Sequence, residues 1–230
     1  MIFESQYWKE DLARRSMSLK KRCEQRRWPE RSFALVEQEL MLGFYSVRKL
    51  LESNKLSQSV SDLRLSLCAH PCKNKAVTQL NRHAVDDLYD LGGTASEERD
   101  LAFVCNQFIH SYVFVLTFAA ANEWDGVLVS SDRERNRVAY YLPTGAIIEL
   151  FDIVASDSPN IMVMSKNERR GDFDVVVGSN TDGHNLAFIA ADEQEMSDDA
   201  VATMIKSALL RGLPTVSRDR EQGEKGIERD

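Results

Sequence analysis

Apolar positions follow two different rhythms along this chain of 230 residues. Residues 5 to 27 are helix-compatible and strongly charged, and Trp28-Pro29 breaks that pattern, with proline suited to the first turn of a new helix. Phe33, Val36, Leu40, Phe44, Val47 and Leu51 then recur at helical spacing, and Arg48, Lys49 and Lys55 sit near the favourable C-terminal end. Residues 57 to 93 read less sharply: SVSDLRLSLCAH alternates like a strand, and AVDDLYDLGG reads as a short helical turn closed by glycine. Thr94 and Glu97 form a capping-box pattern ahead of a long helix expected from about Ser96 to Ala121. Its stripe would be Leu101, Val104, Phe108, Tyr112, Val115 and Ala119, while Phe103, Ile109, Val113, Phe114 and Phe118 make it apolar nearly all round.

After Trp124 the period shortens. GVLVSS and RVAYYL flank the polar SDRERN as a hairpin, Thr144 to Val154 reads as a short helix, and IMVMS and DVVVG flank KNERRGDF as a second strand pair. LAFIA offers one more strand, and Ser197, Asp198 and Asp199 open a helix expected through Leu210, ended by Gly212 and Pro214. The remaining residues carry almost no apolar side chains and read as a flexible tail. The expected fold class is therefore α+β: a helical region over 1 to 122, a smaller strand-containing region with hairpins and a final helix over 123 to 212, and a tail over 213 to 230.

Composition narrows the class of protein. A net charge of -7 argues against a chain that is basic overall, although LARRSMSLKKRCEQRR concentrates seven Lys or Arg residues against one Glu. Charges beginning at Glu4 leave no room for a secretory leader in the first residues, and the longest apolar segment, 101 to 121, is interrupted by Asn106, Gln107, His110 and Thr117. A cytoplasmic protein with no membrane contact is the expectation, and four cysteines are too few for a disulfide scaffold. No Walker loop, dinucleotide glycine fingerprint or Gly-x-Ser-x-Gly elbow occurs, so no cofactor is expected.

Chemistry concentrates in CNQFIHSYVF, Cys105 to Phe114. On a helix Asn106 and His110 would be i,i+4 neighbours and could address one site. An imidazole with a pKa of about 6.5 exchanges protons near neutrality, and an adjacent amide can orient the ring or a phosphate oxygen. The structural alternative is a polar pair hydrogen-bonded inside a core or dimer interface.

Together with the preceding helix FALVEQELMLGFYSVRKLLES, this segment resembles a divergent member of the HEPN superfamily, whose signature places an Arg, then a polar residue, often Asn, and then a His. Asn106 and His110 match, and Cys105 stands where the arginine belongs. The resemblance implies a helical bundle that forms a homodimer with the two motifs facing a shared cleft. It also implies metal-independent RNA cleavage by His110 and Asn106, in a stress-response, toxin-antitoxin or phage-defence setting. A thiol with an ordinary pKa of about 8.5 is mostly neutral at pH 7 and cannot replace a guanidinium beside a developing phosphorane. Binding of RNA or a protein partner through a dimeric helical core is therefore the leading expectation; an endoribonuclease using His110 and a borrowed arginine, and a purely structural subunit, are the alternatives.

Arg99, nearly two turns upstream, and Arg48, at the end of the preceding helix, are the arginines considered as substitutes for the motif arginine. Arg64 and His70 also meet the spacing, but in a strand-like context. Arg14, Arg15, Lys20, Lys21, Arg22, Arg26 and Arg27 are the candidate RNA contacts, with Arg133, Arg135, Arg137, Arg169 and Arg170 adding charge to hairpins. Cys68, His70, Cys72 and His83 are zinc-ligand types at a spacing uncommon for zinc, and they read as ordinary side chains. No metal is expected.

Overall fold

The computed structural model describes residues 2–93, 95–167 and 169–178, and the backbone of 187–190. Its elements run α1 (Ser5–Cys23), α2 (Glu30–Glu52), α3 (Gln58–Ser61), β1 (Arg64–Pro71), α4 (Val85–Leu88), β2 (Ala95–Asp100), α5 (Leu101–Ile109), β3 (Ser111–Phe118), β4 (Trp124–Ser131), β5 (Val138–Pro143), α6 (Thr144–Ser156), β6 (Ile161–Asn167), β7 (Asp172–Gly178) and β8 (Ala187–Ala190). The expected helix over 197 to 210, the tail over 213 to 230 and Thr94 of the capping-box pattern lie outside the described residues.

α1 and α2 form a hairpin whose buried sides, Leu12 and Leu19 on one helix and Val36, Leu40, Phe44, Val47 and Leu50 on the other, repeat at helical spacing. They pack with α5 and α6 against one face of a five-stranded antiparallel sheet of order β2-β1-β5-β4-β3. Phe44 stacks on Phe108 at 3.7 Å between ring centroids, and Phe151 meets Phe44 edge-on at 5.2 Å. Part of the opposite sheet face is covered by the β1–β2 connection, where Val77, Leu88 and Tyr89 pack on Val113, Leu128 and Ala139. β6, β7 and β8 form a separate three-stranded sheet.

Lys9 joins three helices. Its ammonium donates to the carbonyls of Lys55 at 2.9 Å and Asp157 at 2.6 Å, just beyond the C-terminal ends of α2 and α6. At the other end of α1, Trp28 packs on Phe118 at 5.0 Å and on Trp124 at 6.3 Å, which anchors the α1–α2 connection to the sheet.

The fold is α+β, but the HEPN-type bundle is corrected. Two helices precede a five-stranded antiparallel sheet, and the long helix expected from Ser96 to Ala121 divides into β2, α5 and β3. Asp100 starts α5 as its N-cap, its carboxylate accepting the Phe103 N–H at 2.7 Å, and His110 ends the helix at φ -110, ψ 26. Beyond it SYVFVLTF is rich in β-branched and aromatic residues, and as a strand it is apolar on both sides because both sheet faces are covered. The sheet takes β1, β2 and β3 from before residue 122 and β4 and β5 from after it.

Candidate functional site

α5 places the sequence motif on the helical face of the sheet. Cys105 is fully buried, and burial pushes its thiol up to about 12, so it is neutral at physiological pH. Asn106 is half-buried and His110 exposed. The His110 amide donates to the Asn106 carbonyl at 3.1 Å, closing the last turn, while neither side chain has a hydrogen-bond partner among the described residues. Gln107 is the buried polar residue here, and its side-chain oxygen accepts the Ser131 N–H at 3.0 Å, tying α5 to β4.

Neither arginine considered from sequence joins His110. Arg48 pairs with Glu52 at 2.7 Å and reaches the Ala102 carbonyl at 3.4 Å. Ala102 precedes His110 by eight residues, about 12 Å along a helix axis at about 1.5 Å per residue. Arg99 lies over the Phe103 ring, 4.7 Å from its centroid, and is held by Glu97 and by the Tyr140 hydroxyl. That hydroxyl donates to Glu97 at 3.1 Å and accepts from Arg137 at 3.3 Å, with Arg137 also bonded to Glu134. Two guanidinium groups meet two carboxylates, so this network is already neutral and offers no free cation to an anionic ligand.

Beside His110 the structure assembles a group that the sequence did not single out. The Tyr112 ring faces Arg135 at 3.9 Å and Arg82 at 5.8 Å, and Arg135 pairs with Asp132, whose amide donates to the His110 carbonyl at 2.9 Å. Arg82 comes from the β1–β2 connection, and no local spacing relates it to Tyr112.

The basic run is largely engaged within the chain. Arg14 and Arg15 pair with Asp11, Arg15 also with Glu39, Lys20 with Asp152 and Arg26 with Glu123; Arg22 donates to Gln25. Lys21 and Arg27 have no such partner among the described residues. Cys68 is exposed on β1, His70 lies 3.3 Å from the Asp90 carbonyl, and Cys72 bonds the Lys75 carbonyl. Among the described residues no three His, Cys, Asp or Glu side chains are placed to hold a metal ion, and no helix is long and apolar enough to cross a membrane.

Two clefts were not foreseen. The larger, about 630 Å³, runs between α1 and β6 past Lys9, whose ammonium is lowered by burial, opposed by nearby Asp157 and reinforced by Lys55. Its three oxygen neighbours, including the Asp157 carboxylate at 3.8 Å, give Lys9 a structural task. The second, about 350 Å³, lies on the outward side of the α1–α2 hairpin and is lined by Tyr7, Trp8, Asp11, Arg15, Leu42, Tyr45 and Ser46. Tyr7 is 70% exposed and Tyr45 43%, and the Trp8 and Tyr45 rings lie 6.4 Å apart. No protein-family model, curated protein or solved structure matches this chain.

Proposed function

We propose that this chain is a noncatalytic, cytoplasmic binding protein that meets a protein partner through the outward face of the α1–α2 hairpin. The observation that carries the reading is the concentration of exposed Tyr7, Tyr45 and Leu42 around a cleft beside Trp8. Large aromatic side chains that stay in water in the free chain gain most when a partner covers them, and tyrosine, tryptophan and arginine dominate the energetics of protein interfaces. Asp11 and Glu39 surround Arg15 at this cleft, which favours a partner with apolar and mixed polar groups over a phosphate backbone. Ribonuclease chemistry at His110 has neither arginine considered from sequence to draw on, because Arg48 and Arg99 are occupied elsewhere, and the nearby Arg135 is paired with Asp132 and lies over the Tyr112 ring.

The test compares wild-type chain with the Tyr7→Ala/Tyr45→Ala double variant as bait in native host extract, alongside incubation of both with structured and single-stranded RNA in EDTA. A co-purifying protein that binds wild type with defined stoichiometry and is lost from an equally stable double variant supports the reading. Cleavage of RNA that disappears in His110→Ala overturns it, as does tight salt-sensitive RNA binding without a protein partner.

A further inference from the structure

The two edges of the five-stranded sheet are built differently. β2, ASEERD, carries Glu97, Glu98, Arg99 and Asp100 in six residues, and charges on an edge strand discourage further pairing. β3, SYVFVLTF, forms the opposite edge with eight residues and no charge, proline or glycine. Its register with β4 is continuous from Val113 to Thr117, and the irregularities fall only towards its ends. Arg82 reaches the Tyr112 carbonyl at 3.4 Å; among the described residues nothing else bonds the outward backbone from Val113 to Phe118. A long, apolar edge left in this state presents alternate N–H and C=O groups as a template for another strand.

We propose that β3 pairs antiparallel with β3 of a second copy of this chain, joining the two sheets across a two-fold axis. The strand is neutral, so pairing with itself opposes no like charges. Each face also continues across the joint. Phe114, Leu116 and Phe118 belong to the helix-covered side and Val113 and Val115 to the other, so same-face neighbours at the centre of the joint are apolar, with Thr117 the one polar side chain, opposite Val113 of the partner copy. Pairing joins the two β3 edges and leaves the two charged β2 strands outermost in the joined sheet. Assembly therefore stops at two copies instead of running on as a fibre.

This pairing has a consequence for the motif. With the axis near Val115, the His110 residues lie five positions to either side of it, about 33 Å apart at about 3.3 Å per residue. The two imidazoles would stand at opposite ends of the joint and not across a shared cleft. The surface is separate from the α1–α2 face, so either proposal can fail alone.

Analytical ultracentrifugation of the full chain across a broad concentration range, paired with amide hydrogen exchange at each concentration, tests the pairing. The expected result is a twofold rise in mass that coincides with slowing of exchange by about tenfold or more in alternate β3 amides. Val115→Lys should abolish both changes, with circular dichroism and melting confirming that it still folds; if it does not fold, the wild-type concentration series decides the matter. A single-chain mass at every concentration overturns the proposal. So does a two-chain mass with unchanged β3 exchange, or β3 protection already complete in the monomer, which would assign the edge to a segment of the same chain.

Discussion

Arg48 ends on the carbonyl of Ala102, with its Nη1 at 3.4 Å, and so lies about two helical turns from His110. An arginine on the preceding helix does reach across to α5, but it reaches the wrong end for phosphate chemistry at the imidazole. Its ion pair with Glu52 joins neighbours one turn apart on α2, and the Glu52 carboxyl is held down to about 2 by hydrogen bonds from Lys49 and Arg48.

Arg48→Ala should therefore act as a modest structural change. Solvent screens the pair, and alanine favours the helix, so the expected loss is about 0.5–1 kcal/mol in a urea titration. RNA incubated in EDTA should remain intact with both proteins. A loss of cleavage in the variant would place Arg48 in a catalytic role that its contacts do not support.

Cys105 makes a sharper test of the motif. A fully buried thiol raised to about 12 should resist alkylation in the native state, while Cys68 on the exposed side of β1 reacts first. The sign for stability follows from the same burial. Cys105 ordinarily titrates near 9 and Tyr89 near 10, and burial raises both to about 12. The unfolded chain thus loses these protons first, so their contribution is intact below about pH 9 and is lost as pH rises towards 12. Melting temperatures should fall through that window, and Cys105→Ala should flatten the fall while lowering the plateau. Native alkylation of Cys105 at neutral pH would contradict the burial argument.

Much of the fold was legible where one periodicity held over a long stretch. Helices α1 and α2, the β4–β5 hairpin and α6 follow from a helix-compatible run broken at Trp28-Pro29 and the helical spacing beyond it, from a polar turn between β-rich runs and from the Thr144 start. Residues 96 to 121 failed for an identifiable reason: an apolar strand covered on both faces carries no alternation, so β3 reads as a continuation of α5. Asp100 was the missed signal, since it caps α5 and excludes the preceding ASEER from the helix. The site was less legible. Asn106 and His110 stay adjacent, but Arg82 reaches Tyr112 only through the β1–β2 connection, and the Tyr7–Tyr45 face depends on how α1 lies beside α2. Such relations arise from tertiary packing, to which local spacing is blind.

Acid should loosen the α1–α6 contact. Burial raises the Asp152 carboxyl, but hydrogen bonds from Lys20 at 2.6 Å and Ser16 at 2.6 Å outweigh it and leave it below its ordinary value. A carboxylate lowered by folding stabilises above its unfolded pKa, near 4, and that contribution is lost as pH falls through its folded value. Both side chains of the Lys20 pair are nearly half exposed, so Asp152→Asn should cost only about 0.2–1 kcal/mol at pH 7. The difference between variant and wild type should shrink in denaturant titrations carried below pH 4. A difference independent of pH would assign the cost to packing and not to charge.

Gly43 offers a test in which two effects oppose each other. It lies inside α2 against the Phe151 ring, and a Cβ added there would fall well inside van der Waals contact with the ring atoms. Helix propensity alone favours Gly→Ala by about 1 kcal/mol, whereas overpacking a tight core costs about 1–3 kcal/mol. Phe151 is fully buried and packs edge-on to Phe44, so it has little room to yield. Gly43→Ala should therefore destabilise the chain by about 1 kcal/mol. Gly145, in the first turn of α6, supplies the control because nothing lies within 4 Å of an added Cβ. There Gly145→Ala should stabilise by about 0.4–1 kcal/mol through the unfolded chain. Opposite shifts in the two denaturation midpoints would show α2 and α6 packed as closely as the Gly43–Phe151 contact requires; stabilisation by both would mean that the helices yield at this crossing.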